Sequence, residues 1–155
     1  MRRELQIRNR QRIRPMDIPL LRRILRHLLE SEMAIASYAL GIHFIEPRQM
    51  SQLNENYLDH AGSTDVITFD HSEGGAGQMY GELFISVADA VVQAREFRTT
   101  WPAEVVRYLI HGVLHLRGYD DLAAAPRRLM KREENRLLRK LEKQFNLRQV
   151  AKPSV

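Results

Sequence analysis

The residues best equipped for chemistry lie in one stretch, His111-Gly-Val-Leu-His115-Leu-Arg-Gly118-Tyr-Asp120-Asp121. Side chains four apart in a helix lie one above the other on a single face, so the two imidazoles can reach one ion. Gly118 then offers a stop, because glycine tolerates the left-handed backbone with which helices end. Asp120 and Asp121 follow at once. Two helical histidines, a glycine turn and a further polar ligand just past it form the layout of a hydrolytic metal site. The competing reading is a satisfied histidine–aspartate network. The placement, on a helix otherwise apolar and directly before a carboxylate, favours the ion. The chain has no cysteine, which excludes disulfides, thiolate zinc sites and cysteine nucleophiles and leaves nitrogen and oxygen as donors. Gly112 stands where metalloproteases of the His-Glu-x-x-His type carry their general base, which argues against peptide hydrolysis by that route.

The helix that carries this stretch is expected to start at Thr100 or Trp101, with Pro102 in its first turn. Val105, Val106, Leu109, Ile110, Val113 and Leu114 make it apolar around much of its girth, hence buried. Tyr108, His111 and His115 form a polar stripe along it, and buried polar groups need partners. The elements around it follow from period. Residues 4–13 alternate as a strand with one heavily charged side, as at a sheet edge. Asp17 caps a helix with Pro19 in its first turn and with Ile18, Leu21, Leu25 and Leu28 facing inward. Residues 38–45 form a second strand, with His43 turned to its polar side, and a short helix runs from Pro47 to about Leu58. Residues 64–69 form a third strand rich in β-branched side chains. The glycine loop 70–77 lacks the lysine and spacing of a phosphate loop and reads as a connection. Residues 80–86 form a fourth strand, close enough to the third for an antiparallel hairpin. A helix over 87–97, with Val87, Ala90, Val91, Ala94 and Phe97 as its apolar residues, packs on the sheet. After Pro126 a long charged helix reaches about Phe145, with Leu129, Met130, Leu137, Leu141 and Phe145 inward, and the last residues read as a frayed tail. The expected class is α+β: a small four-stranded sheet flanked by about five helices, in one domain over residues 1–155, with the histidines at the end of a buried helix.

A length of 155 residues, 44% hydrophobic and 28% charged, suits one folded core and argues against wholesale disorder. No apolar run is long enough for a membrane span, and Met-Arg-Arg-Glu-Leu-Gln has no apolar core after its basic residues, so a cytoplasmic protein without a secretory signal is expected. The net charge is +5. Arginines crowd residues 2–26, basic residues crowd 127–148, and the middle leans acidic. Arginine-rich ends suit phosphate, as in RNA or a ribosome, although charge alone fits a merely solvated surface equally well.

His-Gly-x-Leu-His-Leu-x-Gly-Tyr-Asp, from His111 to Asp120, resembles the signature of the YbeY family of bacterial endoribonucleases. Leu53-Asn54-x-x-Tyr57 followed by Thr64-Asp65-Val66-x-x-Phe69 is similar to that family's upstream block. Gly81-Glu82-Leu83 stands where the family has Gly-Asp-Ile, and Met130 and Glu134 fit its C-terminal pattern. The resemblance runs from about the second helix to the end of the last. It implies a mixed sheet flanked by helices with a metal at one end of a cleft, one Zn²⁺ ion or another divalent metal, and cleavage of single-stranded RNA. It also implies roles in maturing the 3′ end of small-subunit ribosomal RNA and in ribosome quality control, with ribosomal RNA or the small subunit as partner, no membrane, and a monomer.

Two positions depart from the pattern. The third family histidine is Asp121 here, so the implied metal ligands are His111, His115 and Asp121. A carboxylate is an accepted zinc ligand at nearly the same distance as imidazole, but it makes the site less positive and admits iron or manganese as well. Leu58 replaces an arginine to which phosphate or transition-state charge would be assigned, with His60 or Arg98 as substitutes. The carboxylates available to handle a proton are Asp120, Asp65 and Glu82, of which Asp65 is equally suited to brace its strand. The 2′-hydroxyl of RNA is a further nucleophile. The departures leave an alternative: a ribosome- or RNA-binding factor with a weakened metal site.

Overall fold

The computed structural model describes residues 2–57, 65–72, 78–120 and 122–152. Residues 58–64 and 73–77, among them Leu58 and His60, and Asp121 lie outside them. The strands are β1 (Arg3–Asn9), β2 (Ser37–Ile45), β3 (Val66–Asp70) and β4 (Gln78–Ser86), and the helices are α1 (Ile18–Arg26), α2 (Pro47–Tyr57), α3 (Val87–Phe97), α4 (Trp101–Leu116) and α5 (Ala124–Gln144). The four strands form one mixed sheet in the order β1-β2-β4-β3. β1 and β2 run parallel, as do β2 and β4, while β3 is antiparallel to β4. The charged β1 is therefore an edge, and the third and fourth strands are the expected antiparallel pair. The α+β class, the four strands and the five helices all match the sequence reading.

Strand alternation sorts the sheet into two faces. Leu40, Ile42, Phe44, Leu83 and Ile85 point to one, where they join Leu21, Ile24 and Leu25 of α1 and Val105, Leu109 and Val113 of α4 in the main core. On the other, α2 covers one end through Met50, packed with Ile45 and Ile67. α4 lies deepest, which is why its sequence is apolar on nearly all sides. Its place against the sheet is set by Gly112: a Cβ there would stand 1.6 Å from Leu83 Cδ2 and 3.4 Å from Val66 Cγ1. The position that would hold a protease's glutamate is thus pressed against β4 and β3. Thr100 caps the start of α4, its hydroxyl accepting from the Ala103 N–H at 3.3 Å. At its end Gly118, with φ +102°, reverses the chain, and the Gly118 and Tyr119 N–H groups donate to the carbonyls of His115 and Leu114 at 3.0 Å each. This pairing satisfies helix-end carbonyls that would otherwise lack partners.

Four expectations need correction. The first strand stops at Asn9 rather than Ile13, because the buried Gln11 replaces the ladder: its amide donates to Asn9 Oδ1 and Arg14 O, and its oxygen accepts from the Ile13 N–H. Leu28 is buried as expected, and there α1 passes into a wider π-helical turn, His27–Glu32, which brings Leu29 into the core as well. Leu129 is 54% exposed, while Met130 beside it is buried, and Phe97, expected to pack with the apolar residues of α3, is left exposed at the end of that helix while Val87, Ala90 and Ala94 are buried. The segment expected to fray is anchored, with Leu147 and Val150 buried in a short 3₁₀ turn and the Asp17 N–H donating to Val150 O at 2.9 Å.

Candidate functional site

His111 and His115 stand one turn apart on α4, as their spacing requires, with rings edge to face at 4.7 Å between centroids. Their Nε2 atoms are 3.2 Å apart. The other side of His111 is held by α5: its Nδ1 lies 3.0 Å from Glu134 Oε2. Glu134 is 4% exposed and accepts on its second oxygen from Arg107 Nη1 at 2.9 Å and Lys131 Nζ at 3.3 Å. Burial pushes its carboxyl pKa up, but the bonds from His111 and Arg107 and the charges of Lys131 and His111 outweigh that and hold it at about 2.

This fixes the tautomer of the first histidine. An ionised Glu134 can only accept, so Nδ1 of His111 carries a proton and Nε2 faces His115, with a lone pair to give an ion whenever the ring is neutral. Two nitrogens that face each other in this way either share a proton or converge on one cation. On a tetrahedral ion with bonds of about 2.0–2.1 Å, two nitrogens stand about 3.3 Å apart. The pair is therefore spaced to hold a metal with little movement, and Glu134 is the outer carboxylate that typically orients such a ligand. Among the described residues no three His, Cys, Asp or Glu side chains are grouped to hold an ion. Asp121 lies outside the residues on which this bears.

A cleft of about 480 Å³ opens beside His111, lined among others by Asp65, Glu104, Arg107, Tyr108 and Glu134. Arg107 is pinned there by Glu134, by Asn135 Oδ1 at 2.7 Å and by Glu104 at 3.7 Å. Tyr108 is buried, and its hydroxyl has no hydrogen-bond partner among the described residues. Burial foremost, then the charges of Asp65, Glu104 and Asp89, push its pKa up, so it stays a hydrogen-bond donor.

The three carboxylates named for proton handling are not together. Asp65 lines the cleft and also accepts from the Val66 N–H at 2.9 Å, bracing the start of β3. Asp120 is exposed in the turn after α4, where it accepts from the Leu122 N–H at 2.7 Å. Glu82 is on the opposite sheet face from Leu83 and α4. There it bridges His43 at 2.9 Å and His71 at 3.0 Å, bonds that hold it below the usual carboxylate range, that to His71 most. His43, read as a polar strand position, is thus Glu82's partner and also stacks on Phe84 at 4.4 Å. Arg98 caps α3 with left-handed backbone and lines a separate cleft with Thr100 and Arg148.

Arg107 escaped the sequence reading, and Glu134 entered it only as a pattern match. Both left a signal. Arg107 sits four before His111 and so extends the polar stripe. Glu134 interrupts an inward stripe otherwise made of Met130, Leu137 and Leu141. Many N-terminal arginines are engaged within the fold: Arg3 and Arg26 with Glu30, Arg22 with Leu5 O, Arg2 with Glu4. Two exposed basic residues of α5, Arg127 and Lys131, line the same cleft as His111.

Comparison with known proteins bears on the whole arrangement. The sequence model of the family described as Endoribonuclease YbeY matches residues 6–142. Endoribonuclease YbeY of Salinibacter ruber is 32% identical over 132 residues, which cover 81% of this chain and 83% of that one. Endoribonuclease YbeY of Chlorobium luteolum is 36% identical over 140 residues, covering 89% and 98%. In fold, the chain is similar to a protein from Thermotoga maritima solved in solution, with a TM-score of 0.64 over 90% of both chains at 22% identity.

Proposed function

The chain belongs to the Endoribonuclease YbeY family, and from that premise we propose that it is a divalent-metal-dependent endoribonuclease that cuts single-stranded RNA. The reaction is placed in the maturation of the small-subunit ribosomal RNA 3′ end and in ribosome quality control, with the ribosomal RNA or small subunit as partner. His111, His115 and Asp121 would hold the ion, zinc in the first instance. The observation that carries this reading is the 3.2 Å approach of the two Nε2 atoms, with Glu134 fixed on the far side of His111. When bound, such an ion supplies Lewis-acid polarisation of a phosphoryl oxygen or a water.

The chain's own residues do the rest. Glu134 holds the His111 ring in one tautomer and orientation. Arg107, tied to Glu134, keeps that carboxylate ionised. Of the three proton-handling carboxylates, Asp65 shares the cleft with His111 and is assigned the proton of the attacking group, be it a water or the RNA's 2′-hydroxyl. Gly112, packed on Leu83, offers no general base of the protease kind. The membrane has no part in this reading, and no described helix is long and apolar enough to cross one.

Elemental analysis of the purified protein beside Asp121→His tests the ligand set. Equal metal occupancy in the two is expected. Occupancy in the variant alone would overturn Asp121 as a ligand and favour an RNA-binding factor with a lapsed site.

A further inference from the structure

The cleft beside His111 has features that holding an ion does not require. It lies between the end of α3, the outer side of α4 and the start of α5. Phe97 lines it and is 65% exposed, a large apolar ring left in water beside charged groups. Arg127 and Lys131 line it from α5 and are both exposed. Arg127 makes no ion pair with a described residue, and Lys131 reaches Glu134 alone among them, at 3.3 Å. Like charges four apart on a helix repel, and an anion between them turns that cost into attraction. Finally, the buried Tyr108 hydroxyl lacks a partner among the described residues, and a buried hydroxyl in that state calls for one.

An aromatic face, a hydroxyl donor and two cations around one concave space match the parts of a nucleotide: a flat base, polar edges and a phosphate. A cleft of about 480 Å³ is also of the size that takes such a group. We propose that this cleft is a subsite for one unpaired nucleotide beside the bond that is cut, with Phe97 stacked on the base, Arg127 and Lys131 on the phosphate, and the Tyr108 hydroxyl bonded to the base edge or sugar. The subsite rests on the RNA-cleaving reading and deepens it. It explains selection of single strands, because a paired, stacked base cannot enter a cleft of this kind. It also supplies phosphate contacts from α5 in a chain whose position 58 is leucine.

The test is fluorescence anisotropy of a short, unstructured, fluorescein-labelled RNA titrated with the full chain over a range of salt. Arg127→Ala should weaken binding and flatten the slope of log affinity against log salt by about 0.7, one phosphate contact on a single strand. Phe97→Ala should weaken binding about tenfold without changing that slope. Tyr108→Phe should weaken it about three- to tenfold, also at constant slope, without lowering the thermal midpoint, because the hydroxyl makes no bond in the fold. Wild-type binding with all three variants equal to wild type overturns the subsite while leaving the enzyme reading intact. A lower midpoint for Tyr108→Phe assigns the hydroxyl to the fold and overturns its part. Absence of wild-type binding at low salt overturns the RNA-cleaving reading itself.

Discussion

Glutamine at position 134 would keep the size of the side chain behind His111 and remove its charge. Three donors converge on that carboxylate, from His111, Arg107 and Lys131. Lys131 is 60% exposed at its side chain and contributes least, since water screens it. Glu134 itself is 4% exposed, so leaving water costs it a great deal. Its pKa of about 2, against the ordinary 4.5, shows that the bonds win. That displacement corresponds to about 3 kcal/mol of stability at neutral pH. A carboxylate whose pKa is lower folded than unfolded stabilises the fold at every pH above its unfolded value, and the stabilisation drains away as pH falls toward the folded one. Glutamine has no such titration, and its amide would set an N–H against one of the donors. Urea unfolding of wild type and Glu134→Gln, both with chelator so that metal-free protein is compared, should therefore show a gap of about 3 kcal/mol at pH 7, narrowing to about 2 kcal/mol at pH 3.5. Equal stability at pH 7 would refute the claim that these bonds outweigh the cost of burial. A gap unchanged at the lower pH would refute the charge as its source.

Other perturbations separate packing from backbone geometry. Gly112→Ala puts a methyl 1.6 Å from Leu83 Cδ2, so α4 must lift or Leu83 must turn, and unfolding free energy should fall by about 1–3 kcal/mol or more. An unchanged denaturation midpoint would contradict the close approach of α4 to β4. Gly118→Ala meets no atom within 4 Å, yet φ is +102°, so the expected loss of about 1–2 kcal/mol is purely conformational. Asparagine at 118, read in the same denaturation assay, should recover part of it. Asp17→Ala removes the carboxylate that accepts from the Leu20 N–H at 3.1 Å and should cost about 1 kcal/mol of stability, read from thermal unfolding.

Much of this architecture was legible from period and punctuation. α3 spans the residues its spacing predicts, because Val87, Ala90 and Ala94 repeat on one buried face, although Phe97, read with them, stays exposed. The end of α4 was equally clear, since Gly118 is the residue a left-handed turn demands. The errors have local causes. Leu129 and Met130 are adjacent and both apolar, so helical period alone cannot say which one faces inward. Leu147 and Val150 make too short a pattern to announce a docked turn. Gln11 ends its strand through its own side chain, which alternation does not register.

The site divides the same way. The histidine pair follows from a spacing of four, and its geometry could be anticipated. Its support could not: Glu134 is 23 residues from His111, and Arg107 reaches 27 residues to meet it. Contacts of that span depend on how α5 crosses α4, which is decided by packing rather than by local sequence. Placing Glu82 with Asp65 and Asp120 as proton-handling carboxylates fails to anticipate that strand alternation sends Glu82 to the face opposite α4, where His43 and His71 meet it.

The central claim is that this chain cuts single-stranded RNA through a metal held at His111 and His115. Cleavage of an unstructured RNA, followed for wild type and His115→Ala with and without chelator, tests it most directly. The account predicts cleavage by wild type, its loss with chelator, recovery on adding back divalent metal, and no recovery for His115→Ala. Cleavage that persists in chelator, or in His115→Ala, would contradict it.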